Sequence, residues 1–378
     1  MDQTNVVIIG GGVVGCAIAC ELSATTSDVF LLEALPKLGM ATSTRNSGVI
    51  HSGIYYPQGS LKARLCVAGN TLTKQFCERH NVPHRNCGKL VVASHDHEIP
   101  DLEKLAANGR ANGVEGLRVV GRERIREREP HISAIAALEV PSTGIVSAEE
   151  LVKTYARVAS DRGAHIVNSA RVVQLEPRGD SIEVTVQVGD PAEPDRLERE
   201  TIAARCVINS AGLYSDEVTA MLGDTHYKIY PVRGEYAEVI HSRAGLINAL
   251  VYPLPHADML SLGVHFTRTL WDTVLVGPTA RYVADKNDYE SDRLPLEDFW
   301  KSALELLPEL KLEDLRLAYS GLRPKLVPPD QHAAADFVIA RDPRYSRAIN
   351  LVGIESPGLT AAPAIAALVA KMVAETLA

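Results

Sequence analysis

The stretch from residue 5 to residue 33 restricts the fold more than any other part of the chain. It begins with a short β-branched run, Val6 to Ile9, too brief for a helix and unbroken by polar residues, as expected of a parallel strand buried on both faces. Gly10, Gly12 and Gly15 follow in G-x-G-x-x-G spacing, and Val13, Val14, Cys16, Ala17, Ala19, Cys20 and Leu22 then form a mostly apolar helix. Each glycine has a mechanical task. Gly10 makes the tight turn, Gly12 lets a pyrophosphate approach the backbone, and Gly15 lets helix and strand pack closely. The phosphates would rest on the helix N-terminus beside Val13 and Val14, where unpaired N–H groups and the helix dipole favour negative charge. A second short strand, DVFLLEA, ends at Glu33, about twenty positions beyond the glycines, where a carboxylate can accept hydrogen bonds from both ribose hydroxyls of an adenosine. An acid there disfavours a 2′-phosphate, so FAD or NAD is expected rather than NADP.

The remaining composition narrows the class. A chain of 378 residues, 46% hydrophobic, can bury a large core and is long enough for two or three domains. The formal charge of −8 argues against a general nucleic-acid or anionic-membrane binder. Cys16, Cys20, Cys66, Cys77, Cys87 and Cys206 contain no C-x-x-C pair, so buried free thiols are expected rather than a zinc site or a disulfide framework. No metal site is expected: the 95–97 HDH triplet sits in loop-like sequence without further ligands. The mixed charge run GRERIREREPH reads as a solvated face, and the polar segment 189–200 as a surface hairpin loop. The N-terminus carries an acid where a secretory signal is basic, and no run of about 18 uninterrupted apolar residues marks a bilayer span. A cytoplasmic protein follows as the expectation, with a peripheral membrane contact left open.

The segments 41–66 (ATSTRNSGVIHSGIYYPQGSLKARLC), 206–218 (CVINSAGLYSDEV), 230–236 (YPVRGEY), 262–268 (LGVHFTR), 319–325 (YSGLRPK) and 353–366 (GIESPGLTAAPAIA) carry a more specific likeness. In this order they resemble the FAD-dependent oxidoreductases of the D-amino-acid-oxidase superfamily, and within it the L-2-hydroxyglutarate dehydrogenase/oxidase family. The resemblance runs from about residue 5 to the C-terminus. It implies an α/β fold in which a Rossmann-like FAD-binding domain (1–85, 142–222 and 325–378) is interleaved with a mixed-sheet substrate domain (86–141 and 223–324), as in glycine oxidase. It also implies that Thr42, Ser43, Arg45, Asn46, Ser47, Gly48, Val49 and His51 border the cofactor, with Val172 near the adenine and Ala211, Gly212, Gly321, Gly353, Pro357, Gly358, Leu359 and Thr360 completing the wall.

The residues themselves suggest how such a site would work. A strand from Ile349 to Ile354 would lead through Ser-Pro-Gly into an Ala-rich helix with Thr360 as N-cap and Pro363 in its first turn. That helix N-terminus would stabilise the negative charge that gathers at the flavin N1–C2=O edge on reduction. Oxidising a 2-hydroxy acid also requires removal of the hydroxyl proton and anchoring of the carboxylate. His51, between Gly48 and Gly53, is the expected general base, its ordinary pKa of ~6.5 lying near working pH. Strand alternation puts His265 on a face with Gly263 and Thr267, opposite Val264 and Phe266, as a second proton acceptor or carboxylate donor. The resemblance places Arg323 by the flavin, where its planar fork matches a carboxylate. Lys325, Arg268, Arg233, Tyr55 and Tyr56 are candidates for a distal carboxylate.

The function expected is FAD-dependent oxidation of an L-2-hydroxy acid to the 2-oxo acid, with L-2-hydroxyglutarate as the leading substrate and noncovalent FAD. An amine, amino-acid or glycerol-3-phosphate oxidase on the same scaffold stays open, as does a non-catalytic flavin protein. No second glycine fingerprint marks an NAD(P)H site, so oxygen, a quinone or a carrier protein is the expected electron acceptor.

Overall fold

The computed structural model describes residues 3–190, 192–255, 263–331, 333 and 335–378. The apolar run observed near the N-terminus becomes the strand Gln3–Ile9, parallel to Glu198–Asn209 on one side and to Val29–Leu32 on the other. Val6 and Ile8 face one hydrophobic cluster while Val7 and Ile9 face another, which is why no position in the run is polar. His165–Val167 and Ala348–Val352 add further parallel pairings, and Ala170–Arg178, Ser181–Val188 and Val338–Arg341 bring the sheet to eight strands through antiparallel ones. The 189–200 segment is the connection of one of these hairpins. Glu198, Arg199 and Glu200 nevertheless belong to the strand, because they pair with Val188, Gln187 and Val186.

Three helices lie together against this sheet: Val13–Leu22, Leu61–His80 and Gly358–Leu377. Small residues make room in the turn before the first helix and where the second and last helices cross. A Cβ on Gly15 would fall 2.0 Å from the Gly10 carbonyl oxygen, and one on Gly69 would fall 2.3 Å from that of Thr360. The last helix departs from expectation in two ways. It starts at Gly358 with Pro357 in the N-cap position, so Thr360 is an interior residue, and Pro363 lies further in than the first turn. By length and composition alone this helix is also apolar enough to cross a membrane, yet half of the apolar stretch is buried against the neighbouring helices and strands. The strand before it ends at Val352, since Gly353 turns the chain with φ +70°.

A nine-stranded sheet forms the second layer. Tyr230–Val239 pairs with Leu315–Lys325 over most of its length, setting Val232 against Arg323 and Gly234 against Gly321. Lys89–Ala93, Leu250–Pro253, His265–Arg268 and Val274–Gly277 continue the sheet. In the sequence piece SLGVHF, Ser261 and Leu262 lie outside the described residues. Leu90, Val92, Val251, Phe266 and Val276 bury one face of this sheet in a single cluster, leaving the opposite face to meet the first layer. The charge run 121–131 is solvated apart from the core residue Ile125 and Glu129, which is fully buried and accepts hydrogen bonds from the Asn248 and Ala249 N–H groups, both at 2.8 Å.

Candidate active site

A cavity of about 630 Å³ opens between the two layers, outside the C-terminal ends of the parallel strands. Such a crevice is where open α/β sheets bind ligands. At one end Gly10, Gly12, Val13 and Val14 line it, together with Glu33, Val172, Ala211 and Gly212. The Glu33 carboxylate is fixed by backbone donors, Gly11 N–H at 2.7 Å to one oxygen and Leu35 N–H at 2.8 Å to the other. Burial raises the pKa of Glu33, while those two bonds oppose the shift. Each oxygen keeps a lone pair for a further donor. Ser43 Oγ accepts from Val13 N–H at 2.8 Å, binding the 42–47 turn to the first helix. The backbone approach that a dinucleotide needs is therefore present: Gly12 has no room for a side chain without meeting Ser43 Oγ at 3.0 Å.

Thr42, Arg45, Asn46, Ser47 and Val49 continue the wall. The turn is internally braced, with Asn46 Nδ2 donating to the Ser43 carbonyl at 2.7 Å and Asn46 Oδ1 accepting from Gly48 N–H at 2.9 Å. Thr42 Oγ1 donates to the Leu322 carbonyl at 2.9 Å, and Tyr319 Oη donates to that of Asn46 at 2.9 Å, which locks the turn onto the second layer. Gly321 permits this contact: any Cβ there would sit 1.9 Å from the Arg45 carbonyl oxygen. Gly15, Gly48, Gly353 and Thr360, expected at the cofactor, stand behind the wall rather than on it. Gly48 adopts φ +67° against the Val146 carbonyl, and Gly353 packs on Leu326. Thr360 Oγ1 accepts from His51 N–H at 2.9 Å and donates to the Val49 carbonyl at 3.3 Å, so this hydroxyl holds the histidine loop instead of capping a helix.

At the other end His51, Tyr55, Tyr56, Tyr252, His265, Arg323, Lys325, Pro357, Gly358 and Leu359 enclose the space. Asparagine amides pin the carbonyls of the 51–56 loop. Asn70 Nδ2 donates to His51 at 2.9 Å, Asn108 Nδ2 to Ile54 at 2.8 Å and Asn112 Nδ2 to Gly53 at 3.0 Å. The His51 ring has Nε2 3.3 Å from Ser356 Oγ, whereas its buried Nδ1 meets no partner among the described residues. His265 stacks on Tyr252 with ring centroids 3.7 Å apart, and its Nδ1 lies 2.8 Å from the Gly263 carbonyl. That bond puts the proton on Nδ1 of the neutral ring and leaves Nε2 as an acceptor. Burial pushes both imidazoles down to about 3, helped by the positive charges of Lys89 and Arg323, so both are neutral near pH 7.

Arg323 makes no hydrogen bond or ion pair with any described residue, although it lines the cavity beside Gly234. Lys62 and Lys325, also on the wall, face Glu355 at 2.9 and 3.9 Å. Burial alone would raise Glu355, but Lys62, Lys325 and Arg323 hold it below the usual carboxylate range. Lys62 and Glu355 were not singled out from sequence as site residues. Two other candidates are engaged elsewhere. Arg233 is fully buried in ion pairs with Glu235 at 3.1 Å and Asp288 at 2.9 Å, and Arg268 pairs with Asp272 at 3.1 Å; neither reaches the cavity.

A family model described as "DAO: FAD dependent oxidoreductase" matches residues 5–372. The mitochondrial L-2-hydroxyglutarate dehydrogenase of Arabidopsis thaliana is 34% identical, covering 97% of this chain and 82% of the relative. The L-2-hydroxyglutarate dehydrogenase of Escherichia coli (strain K12) is 32% identical, with 98% and 93% covered. Among solved structures, dithionite-reduced L-alpha-glycerophosphate oxidase from Mycoplasma pneumoniae with FAD bound superposes with a TM-score of 0.86 at 26% identity, covering 100% of this chain and 95% of that one. Glycine oxidase from Geobacillus kaustophilus, at 20% identity and a TM-score of 0.82 over 99% and 95% of the two chains, shares the fold. A glycine-turned parallel sheet, a carboxylate braced beside the glycine turn and a family match over residues 5–372 thus converge: the chain belongs to the DAO family of FAD dependent oxidoreductases.

Proposed function

We propose that this protein oxidises an L-2-hydroxy acid to the 2-oxo acid, with L-2-hydroxyglutarate giving 2-oxoglutarate as its reaction. The observation that carries the proposal is Arg323, a guanidinium on the cavity wall with no hydrogen-bond or ion-pair partner among the described residues, on a wall that also carries Lys62, Lys325, Glu355 and Asp336. An uncommitted guanidinium on such a wall suits a carboxylate substrate, since burying a carboxylate unpaired is expensive. The relatives named for L-2-hydroxyglutarate oxidation support the same reading.

Gly12, Val13, Ser43 and Glu33 would hold the dinucleotide portion of FAD, and the first turn of Gly358–Leu377 would face the ring. When bound, FAD supplies the hydride acceptor. The protein's own groups do the rest. Arg323 grips the C1 carboxylate in two parallel hydrogen bonds, while Lys325 or Lys62 meets the distal one. His51 takes the hydroxyl proton, with His265 as the second imidazole on the wall. Burial depresses His51 first and the Lys89 and Arg323 charges add to it; a substrate carboxylate paired with Arg323 offsets part of the latter. We further propose that residues 1–85, 142–222 and 325–378 serve the cofactor and 86–141 and 223–324 the substrate. In support, the strands of the eight-stranded sheet fall in the first set, and those of the nine-stranded sheet fall in the second except at Lys325. The free cysteines suit a reducing compartment such as the cytoplasm or the mitochondrial matrix.

Anaerobic bleaching of the purified yellow holoenzyme tests the proposal. L-2-hydroxyglutarate is expected to remove the flavin colour and its D isomer to leave it. Reduction by glycerol 3-phosphate or an amino acid, with hydroxy acids inert, would overturn it in favour of the glycerophosphate-oxidase or amino-acid-oxidase alternative.

A further inference from the structure

Lys89 is fully buried, and it opens a strand whose other residues are all apolar. Parallel pairing sets Val91 against Tyr252, and residues two apart share a sheet face, so Lys89 lies on the face that carries Tyr252. Its Nζ donates to Tyr55 Oη at 3.1 Å and lies over the rings of Tyr55 and Tyr252 at 4.4 and 4.6 Å. No carboxylate comes within ion-pairing distance of it among the described residues. The rings return part of the lost hydration. They do not replace a counter-ion, and an apolar residue of similar length would fill the same space at lower cost.

The chemistry of the contact suggests what the lysine is kept for. An ammonium has donors only, so Tyr55 Oη must accept, and the phenolic proton must go to another group. Tyr55 lines the cavity, and among the described residues no protein acceptor for that proton is found. Donation from a charged group also polarises the phenol and makes it a stronger donor in turn. We propose that the Tyr55 hydroxyl donates to a carboxylate oxygen of the substrate, and that Lys89, which does not itself reach the cavity, is the positioning residue that directs this hydrogen bond. The inference rests on the function proposed above, which supplies the carboxylate.

The arrangement carries its own pH signature. The titratable groups facing the Lys89 ammonium are Tyr55, Tyr252, the Cys66 thiol, and the His51 and His265 imidazoles, with the Arg323 guanidinium beyond them. Burial lowers Lys89 to about 7, raises both tyrosines and Cys66, and holds both imidazoles near 3. Of this group only Lys89 changes charge between pH 6 and 8. Above about 7 its neutral amine can accept from Tyr55 and draw the phenolic proton away from the cavity.

The test is anaerobic flavin reduction in the holoenzyme, with the half-saturating substrate concentration and the limiting rate read separately. Tyr55→Phe should raise the former about tenfold to a hundredfold, the range for a hydrogen bond to a charged group, and change the latter less than about threefold. Lys89→Met should do the same, and the double variant should be no worse than Tyr55→Phe alone, because Lys89 acts through the phenol. In the wild type the half-saturating concentration should climb as pH passes about 7, and this climb should vanish in Tyr55→Phe. Losses that multiply in the double variant, or a climb that persists without the hydroxyl, would overturn the proposal. If Lys89→Met does not fold, the two pH profiles decide alone. Failure of the proposed function shows itself differently, as a wild-type flavin that L-2-hydroxyglutarate leaves oxidised. The same variants are then compared on whichever carboxylate substrate reduces it.

Discussion

Replacing Glu33 by glutamine changes one atom and isolates what the carboxylate does. Its two oxygens each accept a backbone N–H, from Gly11 at 2.7 Å and Leu35 at 2.8 Å, and it lies on the cavity wall where an adenosine ribose would present hydroxyls. Glutamine must aim its NH₂ at one of these N–H donors in either orientation. One buried donor is left unsatisfied, at a cost of about 1–3 kcal/mol borne by the protein with or without cofactor. Loss of a charge-assisted ribose bond adds about 1.5–3 kcal/mol, and this part appears only on binding. The dissociation constant for FAD should therefore rise about tenfold to a hundredfold, and the cofactor-free protein should melt earlier. Titration of apoprotein with FAD, followed by quenching of flavin fluorescence, measures the first effect and differential scanning fluorimetry the second. The sign of the pH effect follows from the raised carboxyl pKa: the wild type should lose FAD affinity on acidification at a pH above the ordinary carboxylate range, and the glutamine variant should not. A variant that binds FAD within twofold of wild type, with an unchanged melt, would refute the reasoning.

Arg323→Met should raise the half-saturating substrate concentration by about a hundredfold, with Arg323→Lys restoring only part, since an ammonium cannot form the paired contact; stopped-flow reduction reads both. His51→Ala should keep the yellow colour and abolish anaerobic reduction, whereas full turnover would remove His51 from its assigned role. Because a base is lost only as pH falls through its own pKa, and both imidazoles stand near 3, kcat/KM should show no histidine-dependent fall from pH 8 down to 5. Gly69→Ala should lower the melting temperature by forcing apart helices that meet where a Cβ would lie 2.3 Å from the Thr360 carbonyl, a strain of about 1–3 kcal/mol in thermal unfolding.

What could be read from the residues in advance was what lies close together along the chain. Gly10, Gly12 and Glu33 belong to one strand–turn–helix–strand unit, so their spacing alone implies their geometry. Arg323 was flagged through the family resemblance of the segment YSGLRPK, and it stands on the cavity wall. Lys89 was not, because a lysine heading an apolar strand resembles a surface residue until Tyr252 arrives from 163 positions away and Tyr55 from 34. Glu355 escaped notice for the same reason, its partners Lys62 and Lys325 coming from opposite ends of the chain. For Arg233 a local signal points to a partner within its own strand. In a strand, residues i and i+2 share a face, so Arg233 and Glu235 were bound to meet. Thr360 was misassigned because its hydroxyl serves a loop 309 residues earlier, and no local rule for helix ends contains that partner.

That last hydrogen bond sets a schedule. The histidine loop leaves the ribosome early, while the threonine that fastens it arrives 309 residues later. At about 5–20 residues per second the wait is roughly 15–60 s. Until then the growing polypeptide has its glycine turn but not the clasp for its histidine loop. Final locking of the flavin pocket is therefore a late event in biosynthesis, completed only when the terminal helix slides into its slot.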